Sequence, residues 1–201
     1  FFARNGLRMG LPILLLVACY RLNYMTASTA AYTYYLDLGF NLKQIAVVSK
    51  VYGVVMTLVG AFVAGMLVRR YGIAKTLLTG WVLLTVSNLL YAYIAGIKPG
   101  IGWLATVISV QNVADGIAGT TFIAYMSSLT NTAYTATQYA LFGTLWSFPT
   151  KMIASLWGRI VDAFGYGPFY VYSAVLGLPA LLLVLWLLRH PPEERQRQAE
   201  V

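Results

Sequence analysis

The sequence predicts an all-α integral membrane fold, a bundle of six transmembrane helices. Six long apolar stretches, at about residues 11–35, 45–68, 73–95, 101–129, 135–163 and 169–188, are each long enough to cross a bilayer as a helix. Apolar residues make up 59% of the chain and charged residues 10%, against roughly a quarter charged in a soluble domain. The joints between stretches are only a few residues long, which forces neighbouring helices to run antiparallel. A β-barrel is excluded because the apolar runs are continuous and do not alternate with polar residues.

The first stretch carries Arg21, Tyr24, Ser28, Tyr32 and Tyr35 at helical spacing, one polar and aromatic face. Its reading is a cavity wall, the guanidinium holding an anion and the tyrosines stacking on a substrate. The alternative is an Arg21 paired with a carbonyl or Asp115, and tyrosines that anchor the helix near an interface. This polar content is unlike the apolar core of a cleavable signal peptide, so the stretch is expected to stay in the mature protein. Cys19 is the one cysteine, which rules out an internal disulfide and reads as a small packing residue. Asp37-Leu38-Gly39 ends the stretch.

In the second stretch Lys50 heads a face of small residues, Gly53, Thr57, Gly60, Ala61 and Ala64, suited to close helix packing. Lys50 either belongs functionally to that face or snorkels to the interface. Tyr71-Gly72 closes this helix and Lys98-Pro99-Gly100 the third, whose span carries no charge beyond Lys75 at its head. The fourth holds Gln111, Asn112, Asp115, Gly116 and Gly119 and ends near Asn131. Asp115 is the only acid deep within a span, which makes it the candidate proton carrier or cation partner. A structural partner for Arg21, Lys50 or Lys151 is the equally open alternative.

The fifth stretch shows Thr137, Thr144, Ser147, Lys151, Ser155, Arg159 and Asp162 at three- and four-residue steps, with Pro149 expected to kink the helix. A kinked helix with a polar stripe suits a moving, water-lined element. Arg159 and Asp162 read as an i,i+3 ion pair with a structural or gating role, and Thr135 with Gln138 as a capping box. Gly165-Tyr166-Gly167-Pro168 is the expected joint to the sixth stretch, again without an ionisable group. Pro191-Pro192 stops that helix and leaves a polar tail over residues 191–201.

The net charge of +8 follows membrane topology. Arg4, Arg8, Arg69, Arg70, Lys75, Arg189, Arg195 and Arg197 fall on one side of an alternating bundle, against Lys43 and Lys98 on the other, which puts both termini in the cytoplasm. A nucleic-acid partner is not expected, since its basic patch needs a soluble face. No enzyme, metal or cofactor motif appears: His190 is the one histidine, and neither a metal-ligand cluster nor a phosphate-binding glycine loop is present.

Gly65-x-x-x-Arg69-Arg70-x-Gly72 closes the second stretch, and Gly158-x-x-x-Asp162-x-x-Gly165 closes the fifth, three helices later. A repeat of three crossings is necessarily inverted, a construction known in secondary transporters. On that plan the first, second, fourth and fifth helices line a central path. Arg21, Lys50, Asp115, Lys151 and Arg159 all lie on those four.

The run Gly65-Met66-Leu67-Val68-Arg69-Arg70-Tyr71-Gly72-Ile73-Ala74-Lys75 resembles the loop after the second helix of each half in the major facilitator superfamily, with Arg69 where that pattern usually has an aspartate. A finer resemblance, over nearly the whole chain, is to the C-terminal half of AmpG-like muropeptide permeases. It rests on Phe2-x-x-Asn5, Tyr20-Arg21-Leu22, Val47-Val48-Ser49-Lys50 with Gly53 and Gly60-Ala61, Asn112 with Gly116 and Gly119-Thr120, Ala136-Thr137-Gln138-Tyr139-Ala140-Leu141, and Phe169-Tyr170. Tyr24 and Gln111 stand where that family often has acids.

The resemblance implies one half of a major facilitator fold, and proton-driven import of anhydromuropeptides across a bacterial inner membrane for cell-wall recycling. It also implies a second six-helix half, this chain being either a C-terminal fragment or a half-length protein that pairs. Arg21, Tyr24, Ser28, Tyr32, Lys50, Gln111, Asn112 and Lys151 are the expected substrate contacts, and Asp115 the proton-coupling residue. Gly65, Arg69, Arg70, Gly72, Gln138, Arg159 and Asp162 are the expected gating or structural positions. A carrier of another organic anion, such as an acyl-coenzyme A or a phosphate ester, and a non-transporting membrane sensor or assembly partner stay open.

Overall fold

The computed structural model describes residues 2–97, 100–129 and 135–189. Lys98, Pro99, Asn131, His190 and the tail with Arg195 and Arg197 lie outside the described residues. The helices are α1 (Phe2–Cys19), α2 (Leu22–Asp37), α3 (Leu42–Ile45), a π-helix (Ala46–Tyr52), α4 (Gly53–Tyr71), α5 (Ile73–Ile94), α6 (Ile101–Leu129), α7 (Thr135–Ala154), α8 (Trp157–Phe164), α9 (Tyr166–Val175) and α10 (Leu178–Arg189). They group into six rods: α1–α2, α3–π–α4, α5, α6, α7–α8 and α9–α10.

Five segments are long and apolar enough to cross a membrane: Met9–Asp37, Leu42–Tyr71, Ile73–Ile94, Ile101–Leu129 and Tyr166–Arg189. The fifth rod, expected from sequence to qualify too, does not. Its polar stripe lowers its hydropathy and a break at Ser155–Leu156 shortens its helices. Pro149, the expected kink, lies inside α7, and the helix ends five residues later at Ala154.

Two further rods are broken where the sequence suggests continuity. The first stops at Tyr20–Arg21, where Arg21 takes φ −98°, ψ 4° and the Asn23 side chain accepts from the Tyr24 backbone N–H at 2.8 Å. The sixth stops at Leu176–Gly177, where the Trp81 indole donates to the Gly177 carbonyl at 2.9 Å. The second rod starts earlier than expected because Asn41 and Gln44 form a reciprocal capping box, the two bonds measuring 2.8 and 3.0 Å. The sixth starts at Tyr166, with Pro168 in its first turn, where a missing N–H leaves no ladder bond unmade. The joint before it is therefore Gly165 alone.

Gly72 and Gly165 are the same joint built twice. Their backbone angles are φ 79°, ψ 166° and φ 81°, ψ 177°, a left-handed region that favours glycine. Each caps the helix behind it, Gly72 N–H on Val68 O at 2.9 Å and Gly165 N–H on Val161 O at 2.8 Å. Packing repeats in the same way. The second rod lies on the fourth as the fifth lies on the first, the third on the fourth as the sixth on the first, and the third on the sixth. Exchanging rods one, two and three with four, five and six maps these packings onto one another, as an inverted repeat demands, while the lighter contact of the first rod with the third has no counterpart of like size between the fourth and the sixth.

Two apolar clusters fill the bundle. One gathers Ile13, Val17, Tyr20, Leu77, Leu84, Ala118, Phe122 and Val184; the other gathers Ala27, Tyr34, Tyr91, Ile94, Leu104, Ile108, Phe169 and Tyr170. On the first, third, fourth and sixth rods the residues between them are polar or breaking: Arg21 and Asn23, Ser87 and Asn88, Gln111, and Gly177. A polar belt thus crosses the bundle at mid-height.

Rods two and four touch backbone to backbone. A Cβ at Gly60 would lie 2.3 Å from the Val113 carbonyl oxygen, and one at Gly116 2.2 Å from that of Thr57. Gly65, one turn further along α4, has nothing within 4 Å of such a Cβ. We expect Gly60→Ala and Gly116→Ala each to lower stability by about 1–3 kcal/mol, the cost of overpacking. Gly65→Ala, which meets no clash, is expected to leave the melting temperature unchanged or raise it slightly, all three read by thermal unfolding in detergent.

Candidate functional site

Arg21 and Asp115 meet at the polar belt. The Arg21 guanidinium donates to Asp115 Oδ1 at 2.7 Å, with 12% and 17% of the two side chains exposed. The break in the first rod places Arg21 at the helix entry, and the guanidinium carbon lies 4.9 Å from the Tyr24 ring centre. Gly119 lies opposite, and a Cβ there would come within 2.8 Å of an Arg21 terminal nitrogen, so an alanine would displace the guanidinium. This is the Arg21–Asp115 pairing that the sequence offers as one alternative.

Next to the pair a cavity of about 590 Å³ opens between α2, the π-helix and α6. Tyr24, Ser28, Tyr32, Lys50, Gln111 and Asn112 all line it. The π-helix carries Ser49 and Lys50 into its wall, an irregular turn of the kind found at functional sites. Lys50 makes no ion pair among the described residues.

The two amides of α6 are already engaged. Gln111 accepts from the Tyr91 hydroxyl, which is also bonded to that of Tyr35, another cavity residue. Asn112 accepts from Thr57 at 3.0 Å and donates to the Ile108 carbonyl at 2.8 Å. Behind the cavity Tyr91 stacks on Tyr170 at 4.8 Å, and at the rod ends the Tyr166 hydroxyl donates to Asp37 at 2.5 Å.

Lys151 lies apart from that cavity. It lines a second one of about 500 Å³ with Met25, Thr29, Trp146, Ser147 and Thr150, on a neighbouring face of α2. Among the gating or structural candidates, Gly72 shapes a joint, and Arg69 and Arg70 are exposed at the end of α4. Arg159 and Asp162, expected to pair, do not: both are exposed on α8 and no ion pair joins them. Exposure gives such a pair little to gain. Gln138 is half-buried on α7, and the residues that precede this helix lie outside the described residues.

Sequence reasoning missed Ser49, Trp146 and Thr150 as cavity residues, and the buried Asn23, Thr26, Ser87 and Asn88 of the belt. The signal for the belt was present: Ser87 and Asn88 interrupt an otherwise apolar stretch, but they carry no charge.

The profile of the Major Facilitator Superfamily matches residues 13–201. This chain belongs to the major facilitator superfamily. It is therefore a multi-pass membrane protein of a transporter family. It is 29% identical over 187 residues to "Putative transporter AmpG 4" of Rickettsia conorii, covering 93% of this chain and 44% of that protein. Similarity to the anhydromuropeptide permease of Escherichia coli K12 is 29% identity over 186 residues, 92% of this chain and 37% of the permease. "Putative transporter AmpG 3" of Rickettsia prowazekii is 30% identical over 175 residues, 87% of this chain and 42% of that protein. The chain spans less than half the length of these relatives, and the permease resemblance drawn from its motifs is borne out by them.

Removing one member of a buried ion pair costs about 3–5 kcal/mol because the other is left uncompensated. With part of each side chain exposed, we expect Asp115→Ala to fall at the low end, about 3 kcal/mol. The double replacement Arg21→Met with Asp115→Leu is expected to be more stable than Asp115→Ala alone, both read as melting temperatures in detergent.

Proposed function

We propose that this chain is one six-helix half of a proton-driven permease that imports anhydromuropeptides across a bacterial inner membrane. The observation that carries the reading is the 590 Å³ cavity, which gathers six of the eight substrate contacts expected from sequence. Its chemistry suits the ligand. Tyr24 and Tyr32 offer faces for sugar rings, Ser28, Ser49, Gln111 and Asn112 suit acetamido and peptide groups, and Lys50 suits a carboxylate. The similarity to an anhydromuropeptide permease supports the same substrate class.

In this reading the cavity is completed by a second six-helix half, and the two bundles rock about a midplane site. Asp115 carries the coupling proton. Its protonation weakens the hold on Arg21 and lets α2 move relative to α6, next to the close contact at Gly119. Both termini lie in the cytoplasm, since Arg69, Arg70, Lys75 and Arg189 share one end of the bundle while Lys43 lies at the other.

Uptake of radiolabelled anhydromuropeptide into vesicles, with and without a pH gradient, tests the proposal with this chain joined to its second half. We expect gradient-driven uptake, with Lys50→Ala raising the half-saturating concentration about tenfold, the equivalent of about 1.4 kcal/mol. Asp115→Asn is expected to abolish the response to the gradient. Absence of uptake under every condition would overturn the substrate assignment and direct attention to other organic anions.

A further inference from the structure

Charge along the walls of the two cavities does not balance. Arg21 and Asp115 neutralise each other, and the other acids among the described residues, Asp37 and Asp162, are exposed on the end of α2 and on α8. Lys50 and Lys151 are left without an acid partner, one in each of the two cavities.

These cavities share a wall. Tyr24 and Ser28 of α2 line the first, and Met25 and Thr29, one residue on in each case, line the second. One residue along a helix turns the side chain by about 100° and raises it by about 1.5 Å. The two cavities therefore overlap along the turn from Tyr24 to Thr29, on adjacent faces of one helix, each with its own ammonium group and its own aromatic surface, tyrosines in one and Trp146 in the other.

We infer that the ligand is held at two anionic groups at once, one by Lys50 and one by Lys151, across the α2 face that separates the cavities. The inference rests on the transport reading above and adds to it the charge class of the substrate, a dianion. A ligand with a single negative group engages one lysine and forgoes the attraction of the other, which lowers its affinity relative to a dianion.

The test is competition for uptake, with this chain joined to its second half. The probes are an anhydromuropeptide carrying two net negative charges and the same molecule amidated at one carboxyl. We expect the dianion to compete about tenfold better. Lys50→Gln and Lys151→Gln are each expected to erase that preference, while Lys50→Arg and Lys151→Arg keep it and show that the fold is intact. Equal competition by the two probes, or a preference that survives in both glutamine variants, would overturn the two-lysine assignment while leaving the transport reading in place. No uptake of either probe would remove both.

Discussion

The buried contact between Arg21 and Asp115 is the constraint around which the rest of this bundle is arranged. A guanidinium and a carboxylate, mostly withdrawn from solvent, are tolerable only when each compensates the other. The guanidinium reaches Asp115 from a helix break at Tyr20–Arg21 and passes beside Gly119, where a Cβ would lie 2.8 Å from it. The apolar core is divided in two as a result, with a polar belt between the halves. Asn23 and Asn88 belong to that belt, and their contact at 3.3 Å from the Asn88 amide to the Asn23 carbonyl ties the first rod to the third where the first has lost its regular ladder.

Breaks in the rods fall where the chemistry is. The first rod breaks beside Arg21, the second loosens into a π-helix beside Lys50, and the fifth breaks shortly after Lys151. α5 and α6, which are unbroken, form the support on which these elements lie. Backbone irregularity at membrane depth is tolerated only where protein or a cavity can satisfy the freed groups. Here the first break and the π-helix adjoin cavity walls, and the Gly177 break of the sixth rod is met by Trp81.

Much of this was legible in the sequence, and the part that was not has a common cause. Length and hydropathy fix helices well, because a bilayer demands about twenty apolar residues in a row. The 101–129 span is helical throughout, and the face of Tyr24, Ser28 and Tyr32 emerges as a cavity wall from helical spacing alone. Breaks were not legible, since no proline or glycine marks Tyr20–Arg21 or Ser155–Leu156. At Tyr20–Arg21 the break coincides with a contact to a distant helix, the Arg21 ion pair, which spacing along the chain does not reveal. The separation of Lys151 from Lys50 was also hidden, because spacing places a side chain on a face of its own helix but not between which neighbours that face will open.

The repeated joint shows which features a fold keeps for backbone reasons and which it leaves to function. Gly72 and Gly165 hold nearly the same left-handed geometry, and each lies seven residues after another glycine, Gly65 and Gly158. The charges between those glycines differ: Arg69 and Arg70 in the first copy, Arg159 and Asp162 in the second. A one-residue turn between antiparallel helices has few solutions for L-residues, and glycine supplies one at no steric cost. Exposed charges beside such a turn face no comparable restriction, so the first copy can present two cations and the second one charge of each sign. The same backbone plan thus yields two chemically unlike ends, and the asymmetry between the halves of the repeat lies in side chains placed on an otherwise repeated frame.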